Sequence, residues 1–333
     1  PINGMYEVAA YPMVALMNII GFDATTLGNH EFDSGQEGLA KLIDMSAFSA
    51  LCANVQPASK WNMHVKPYQI FDCGGLSVGV IGAVALGKLG IPESHPDKCV
   101  DIKFREPLAS IQELRWLREK CDVVVLLSHL GYSTDVEFSK ELPWVDIIVG
   151  GHSHTQLKGG ETHNGVFITQ NTNRLKRATH STLILEDGKV VKRMAENIEI
   201  RGQKNVNKVV AALVQHFSDN PAFKRVLAQV DTPFENYEEL GSMMCDAFVA
   251  EGKCDVSFQN AGGVRYETHD VGGFTVSDVL RLDPFQNEAV ELQLTGKELA
   301  DMLMKCYEND GHSFPYVGGM KAEFTVDPAT KDL

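Results

Sequence analysis

Three short polar segments, each directly after an apolar run, constrain the fold of this chain more than any other feature. The segments are Gly28-Asn29-His30-Glu31-Phe32-Asp33, Ser128-His129-Leu130-Gly131 and Gly150-Gly151-His152-Ser153-His154-Thr155. The runs before them, residues 22–27, 123–127 and 145–149, are typical of buried strands. Open α/β sheets gather their functional side chains at the carboxyl ends of such strands. The sequence therefore predicts that three distant segments meet at one edge of a sheet.

The rest of the chain alternates between helical and extended patterns. Pro107 stands at a favourable first helical position, and an apolar stripe at threefold spacing follows it. The pair Asp187-Gly188 predicts a tight hairpin turn. Further strands are predicted at 76–84, 166–170, 255–259 and 288–294, and helices at 11–20, 37–48, 206–217, 240–250 and 295–307. This alternation predicts layered α/β domains.

Length and patterning predict two domains. A chain of 333 residues corresponds to about two domains of roughly 150 residues each. The pattern thins into polar residues near residue 200, so we expect one domain at 1–200 and another at 201–333. We also expect the natural chain to start before Pro1, because the sequence opens within a pattern and without Met.

Composition excludes several classes of partner. The formal net charge of −14 disfavours a nucleic-acid polymer as a partner. A protein binds the phosphates of such a polymer with clustered Lys and Arg. No apolar run approaches the ~20 residues that cross a membrane, so no transmembrane segment is expected. The seven cysteines show no C-x-x-C spacing and are interpreted as small apolar residues rather than as a disulfide framework.

Four residues of the strand-end segments are candidate metal ligands: Asn29, His129, His152 and His154. Imidazole nitrogen and amide oxygen suit borderline divalent ions such as zinc, manganese, iron or cobalt. On an extended segment His152 and His154 would point to opposite sides, which favours two neighbouring ions over one. The alternative is that each is an ordinary hydrogen-bonded side chain, and four candidates at three strand ends weigh against it.

His30 and Asp33 form a candidate catalytic pair. A carboxylate one turn away holds a histidine ring and favours its protonated form. Such an imidazolium stabilises phosphoryl oxygens and assists a leaving group. Glu31 lies between the two and is the rival for either role.

A second group of candidates lies in the other half of the chain. Asn260-Ala261-Gly262-Gly263-Val264-Arg265 follows a short predicted strand, and its glycines allow close backbone approach to a ligand. Arg265 can reach a phosphate or carboxylate. Phe285 is either a stacking platform for a nucleobase or a core residue.

In this order and spacing, the three strand-end segments resemble the calcineurin-like metallophosphoesterase domain. The segment from Asn260 to Arg265 resembles the C-terminal substrate domain of the 5′-nucleotidase/UDP-sugar hydrolase family. The resemblance covers essentially the whole chain, and the pairing of the two domains is more specific than either motif. It implies a four-layer α-β-β-α sandwich followed by a second α/β substrate-binding domain.

The resemblance also implies roles for the candidate residues. Asn29, His129 and His152 would hold one divalent ion and His154 a second, with His30 and Asp33 as the catalytic pair. Contacts to a nucleotide substrate would come from Asn260, Gly262, Gly263, Arg265 and Phe285. Members of the family are secreted, periplasmic or attached to the cell surface.

Three departures from the family pattern stand out. The first metal motif, Asp-x-His with a Gly-Asp pair, would precede Pro1, and the second aromatic residue of the base clamp would follow Leu333. Asn236 stands where some members have an arginine. We therefore expect both domains to be incomplete, and residues 1–333 alone to bind at most about one ion tightly.

The leading hypothesis is dinuclear metal-dependent hydrolysis of nucleoside 5′-monophosphates, with nucleotide sugars or diphosphates as further substrates. One alternative keeps the scaffold and changes the substrate to a 2′,3′-cyclic nucleotide or another ester, including sulfur esters. The other alternative is a non-catalytic nucleotide-binding protein.

Overall fold

The structure is a computed structural model that describes residues 10–56, 61, 63–285, 287–309 and 313–330. The chain divides into two compact units, Ile2–His216 and Phe217–Leu333. The expected trimming at Pro1 concerns residues outside the described ranges. The domain boundary predicted after residue 200 stays a prediction.

The first unit alternates helices with strands, most of them short. Its helices are α1 (Tyr11–Ile20), α2 (Gly35–Asp44), α3 (Pro107–Gln112), α4 (Tyr132–Phe138) and α5 (Lys208–Ser218), whose last turn crosses into the second unit. Its strands are β1 (Ala24–Thr26), β2 (Ser49–Leu51), β3 (Val55–Gln56), β4 (Tyr68–Cys73), β5 (Leu76–Val84), β6 (Lys103–Phe104), β7 (Val123–His129), β8 (Ile147–Gly150), β9 (Glu161–His163), β10 (Val166–Gln170), β11 (Arg177–Glu186) and β12 (Lys189–Glu199).

A six-stranded sheet forms the centre of this unit, in the order β4-β5-β7-β8-β10-β9. The four inner strands are parallel, and β4 and β9 are antiparallel edges. A row of paired residues crosses the sheet and is 0% exposed: Ile81, Leu126, Ile148 and Ile168. Burying each such side chain contributes about 1.5–3 kcal/mol, so this row fixes the register of the strands.

That register determines which residues leave the sheet at the carboxyl edge. Val84 pairs with His129, and Gly150 pairs with Gln170. The parallel strands β5, β7, β8 and β10 therefore deliver their following segments to the same edge.

The remaining strands of the first unit form two-stranded pairs. β1 and β2 are parallel, β3 and β6 are antiparallel, and β11 and β12 form a long antiparallel hairpin. Asp187 and Gly188 connect that hairpin with φ angles of 48° and 72°. Positive φ at both positions is the geometry of the tight turn that the sequence predicts, so this prediction is confirmed.

The second unit combines antiparallel strand pairs with helices. Its elements are β13 (Val226–Val230), α6 (Tyr237–Gly252), β14 (Ser257–Gln259), β15 (Gly272–Thr275), α7 (Val276–Leu282), α8 (Gly296–Asn309) and β16 (Tyr316–Gly318). β13 pairs with β15, and β14 with β16. Its core includes Leu240, Met244, Val264, Phe274 and Leu282. The α/β class predicted for the chain is confirmed in both units.

One predicted strand is wrong. Residues 288–294 alternate apolar and polar residues but form no ladder in the structure. Val290 and Leu292 are 76% and 56% exposed. Alternation identifies one apolar face, but a strand also needs a hydrogen-bonded neighbour, which the pattern cannot supply.

Two expectations from composition, on membrane segments and on cysteines, can be compared with the structure. No described helix has both the length and the apolar character to cross a membrane. The seven cysteines are free, and Cys52, Cys99, Cys121 and Cys245 are buried as small apolar residues. Burial raises the pKa of the Cys52 thiol to about 12.

Candidate active site

His129 lies at the centre of the candidate site. It ends β7, and its Nε2 lies 3.1 Å from Oδ1 of Asn29. Its ring centroid lies 5.1 Å from that of His152. The structure thus brings together three of the four candidate metal ligands, from three separate segments of the sequence.

Two glycines make room for the His129 ring. A Cβ at Gly28 would lie 2.6 Å from Cε1 of His129, which real contacts do not allow. A Cβ at Gly151 would lie 3.3 Å from Nδ1 of the same ring. The glycines of the first and third segments therefore allow the backbone to approach the imidazole closely.

Burial favours the neutral form of both imidazoles. Burial lowers the pKa of His129 to about 4, with smaller contributions from His152, His30 and His154. Burial also lowers the pKa of His152, and His30 adds to this, while Glu93 opposes it. A histidine must be neutral to ligate a metal ion. Two neutral imidazoles and an amide oxygen are a donor set that suits a borderline divalent ion.

His154 is more exposed than the other three candidate metal ligands. It is exposed, and its Nδ1 lies 3.5 Å from Nδ2 of Asn173. The predicted extended conformation of this segment is wrong, because His152 and His154 have φ angles of 70° and 55°. These left-handed conformations turn the chain, so alternation along a strand does not describe where the two rings point.

The described residues contain no cluster of three or more His, Cys, Asp or Glu side chains spaced to hold a metal ion. The candidate site is consistent with this, since only two of its three adjoining donors are of those types and the third is the Asn29 amide.

His30 and Asp33 form the pair expected from their spacing. Nδ1 of His30 lies 2.9 Å from Oδ2 of Asp33, which caps the single helical turn Asn29–Phe32. The side chains of both are about half exposed. Glu31, the rival for these roles, turns back to accept a hydrogen bond of 2.6 Å from the Gly28 amide. Its carboxylate is therefore engaged in holding the backbone.

Sequence reasoning missed a loop that borders this site. Asn29 donates from Nδ2 to the Glu93 carbonyl at 3.1 Å, and Ser94 donates from Oγ to Oδ1 of Asp33 at 3.0 Å. Oε2 of Glu93 lies 3.9 Å from Nε2 of His152. The signal was available, because this loop follows β5, which is parallel to β7 and ends at the same edge.

Two buried polar residues beneath the site were also missed. Gln170 ends β10 and contacts the segment that carries His152 and His154. Asp135 of α4 accepts a hydrogen bond from the Ser128 hydroxyl. Burial raises the pKa of Asp135 to about 7. A polar residue that closes an apolar parallel strand, as Gln170 does, was the available signal.

The candidate residues of the second unit lie on one loop and one helix end. Residues 261–263 form a helical turn after Asn260, and the Arg265 amide donates to the Leu282 carbonyl at 2.8 Å. The Arg265 guanidinium carbon lies 5.1 Å from the Phe285 ring centroid. A loop far from Phe285 in sequence therefore meets its ring.

The glycines of this loop differ in their surroundings. A Cβ at Gly263 would lie 1.8 Å from Nε2 of Gln259, so a larger residue here would have to displace that side chain. Gly262 is half-buried, and Asn260 is exposed with Oδ1 accepting from Gln259 at 3.1 Å. Asn236, the departure noted above, caps α6 by accepting from the Glu239 amide at 2.9 Å.

Two family models match the chain. Residues 4–156 match the model of calcineurin-like phosphoesterases. Residues 217–332 match the model of the 5′-nucleotidase C-terminal domain. The first match contains all three strand-end segments, and the second contains the Asn260–Arg265 loop and Phe285.

Curated relatives and a solved structure agree with these matches. The chain is 27% identical to Protein UshA of Yersinia enterocolitica and 27% identical to a 5′-nucleotidase of Vibrio cholerae, each over 86% of the chain. It spans only 62% of the length of each. A 5′-nucleotidase precursor from Thermus thermophilus superposes with a TM-score of 0.80 at 25% identity, covering 93% of this chain and 68% of that one. These similarities confirm the predicted fold class.

Proposed function

Because the chain belongs to the family that joins a calcineurin-like phosphoesterase domain to a 5′-nucleotidase C-terminal domain, we propose that it hydrolyses nucleotide phosphoesters with the help of divalent metal ions. Nucleoside 5′-monophosphates are the proposed principal substrates, and nucleotide sugars or diphosphates are further ones. The observation that carries this proposal is the meeting of Asn29, His129 and His152 beside the His30–Asp33 pair.

The chemistry of the donor set supports the use of metal ions. Asn29, His129 and His152 would hold one ion, and His154 would contribute to a second. When bound, such ions neutralise phosphoryl oxygens and activate water. Zinc, manganese, cobalt and iron all suit these donors.

The protein's own groups orient the substrate and stabilise charge. Oδ2 of Asp33 lies within hydrogen-bond distance of Nδ1 of His30, which fixes the direction of the ring. Ser94 holds the other oxygen of the same carboxylate. The His30 ring, held in this way, is the proposed group that stabilises negative charge developing on the phosphoryl group or the leaving oxygen.

The second unit supplies the proposed nucleotide contacts. Arg265 and Asn260 carry polar groups for the substrate, and Gly262 and Gly263 permit close backbone approach. Phe285 offers an aromatic ring for a base, and base stacking on such a ring contributes about 1–3 kcal/mol. The Arg265 guanidinium beside that ring supports its role in a binding site rather than in a purely apolar core.

A substrate panel tests the proposal. We expect the metal-loaded full-length protein to release phosphate from AMP, and a chelator to abolish this release. Cleavage of a 2′,3′-cyclic phosphate or a sulfur ester with no action on AMP would replace the proposed substrate class. Calorimetric binding of AMP without any turnover would instead identify a nucleotide-binding protein.

The proposed location is outside the cytoplasm, in the periplasm, secreted or at the cell surface. It rests on the family resemblance, and cell fractionation checks it.

A further inference from the structure

The segment that carries His152 and His154 has a conformation that needs external support. Both histidines have positive φ angles, which non-glycine residues rarely adopt. Such conformations persist only where surrounding contacts hold them. Within the segment, the Ser153 amide donates to the Gly151 carbonyl at 2.9 Å.

Gln170 supplies that support through both atoms of its amide. Its Nε2 donates to the Gly151 carbonyl at 2.7 Å. Its Oε1 accepts from the Ser153 hydroxyl at 2.7 Å and from the Thr155 amide at 2.6 Å. Gln170 is 2% exposed, so its own amide is shielded from competing water.

The same contacts reach the segment that carries His129. Ser153 Oγ, which donates to Gln170, also accepts from the Tyr132 amide at 3.0 Å. Tyr132 begins α4 directly after Gly131, three residues beyond His129. One buried amide is therefore connected to both segments that carry candidate imidazole ligands.

We propose that Gln170 is a positioning residue that fixes the His129 and His152 segments relative to each other, so that their imidazoles converge on one divalent ion. The inference rests on the proposed function, because it assigns Gln170 to the same metal site. Gln170 itself does not touch the substrate. Its role parallels that of outer-shell groups, whose loss lowers metal affinity by about 10–100-fold.

The test compares Gln170→Met with a neighbouring core variant. Met keeps the length of the side chain and removes all three hydrogen bonds. Thr169→Val is the matched control, because Thr169 is buried on the same strand and its hydroxyl lies 3.5 Å from the Ile148 carbonyl instead. Metal-free full-length protein is titrated with Mn²⁺ by calorimetry and with Co²⁺ by visible absorption, and unfolding in urea is measured without metal.

We expect Gln170→Met to lower Mn²⁺ affinity by about 10–100-fold and to change the Co²⁺ spectrum, while Thr169→Val stays within about twofold of the wild type. Unchanged Mn²⁺ affinity and Co²⁺ spectrum in Gln170→Met would overturn the inference and make Gln170 a fold residue only. If Gln170→Met does not fold, Ser153→Ala breaks the exposed part of the same connection. A several-fold loss of Mn²⁺ affinity in that variant supports the inference, and wild-type affinity overturns it.

His129→Ala separates this inference from the proposed function. Loss of Mn²⁺ binding in His129→Ala, with normal binding in Gln170→Met, would leave the metal site in place and remove only the positioning role. Normal binding in both variants would overturn the metal site itself.

Discussion

At the scale of single residues, substitutions in the His30–Asp33 pair distinguish an effect on catalysis from an effect on metal binding. His30 adjoins the candidate ligand Asn29 but directs Nδ1 to Asp33. We predict that His30→Ala lowers turnover by about two to four orders of magnitude, the range for positioned acid–base groups, with metal content nearly unchanged. Turnover on AMP and elemental analysis of the same sample measure the two quantities.

Asp33→Asn is the companion variant. It keeps the shape of the side chain and weakens its interaction with the His30 ring, so turnover should fall by less than in His30→Ala. Loss of metal from His30→Ala would contradict this interpretation and identify His30 as a ligand.

Asp135 is predicted to make stability depend on pH. Its carboxyl is fully buried, and Oδ2 has no hydrogen-bond partner among the residues that the structure describes. Burial raises its pKa to about 7 from a usual value of 3.8, so ionisation is unfavourable in the folded state. The contribution of the protonated carboxyl to stability is complete below about pH 4 and is lost as the pH rises to about 7.

The variant Asp135→Asn removes this titration. Relative to it, the wild type should lose stability between pH 4 and 7, by an amount on the order of 3 kcal/mol at about 1.4 kcal/mol per pKa unit. Urea unfolding at pH 4, 5.5, 7 and 8 measures the difference. Asp97→Asn, at a side chain that is 86% exposed, is the control. A difference that does not vary with pH would show that Asp135 stays ionised in the fold.

The sequence predicted part of the candidate site at the scale of single residues, because that part follows from local sequence patterns. Asn29, His129 and His152 each lie at or just after the end of a strand, and the carboxyl ends of the parallel strands β7 and β8 meet at one edge of the six-stranded sheet. The contacts of Glu93, Ser94 and Gln170 depend on how loops fold back over that edge. The strand ends place these residues at the edge, but hydrophobic periodicity contains no information about which contacts they make there.

At the scale of elements, α6 shows how one glycine sets a helix against its neighbours. A Cβ at Gly241 would lie 2.3 Å from the Tyr316 ring of β16, whereas at Gly252 of the same helix the nearest atom would be 3.7 Å away. We predict that Gly241→Ala destabilises the protein by about 1–3 kcal/mol through overpacking. Thermal or urea unfolding of the full chain measures this.

Gly252→Ala is the matched control for the same substitution. It relieves the entropic cost of glycine without a close contact and should change stability by no more than about 1 kcal/mol, in the stabilising direction. Equal effects of the two variants on stability would show that the contact with Tyr316 does not govern this position.

The helices and strands were predictable where the sequence pattern fitted only one kind of element. β5 and β10 have the predicted bounds, 76–84 and 166–170, because long apolar runs between turns leave few alternatives. The predicted strand at 288–294 is wrong because a strand needs a hydrogen-bonded neighbour, and the local pattern cannot show whether another segment supplies one. The 152–154 turn was missed because Gln170 and the neighbouring backbone impose its positive φ angles.

At the scale of the whole molecule, the proposed functions are divided between two units. The candidate metal ligands and the His30–Asp33 pair belong to Ile2–His216, and the candidate nucleotide contacts belong to Phe217–Leu333. Each unit has its own core. A substitution among the nucleotide contacts should therefore alter substrate preference without altering the chemistry at phosphorus.

Phe285→Ala is the variant that tests this division. Its ring neighbours the Arg265 guanidinium, and we predict that its loss lowers kcat/KM for AMP by about 5–150-fold, which corresponds to about 1–3 kcal/mol of base stacking. For p-nitrophenyl phosphate, which lacks a nucleobase, kcat/KM should change by less than about threefold. Steady-state kinetics with both substrates on one metal-loaded preparation gives the ratio directly, and a chelator should abolish both activities in wild type and variant alike. Equal losses for the two substrates, together with a lower unfolding midpoint, would show that Phe285 is a core residue of its unit and not part of the nucleotide site.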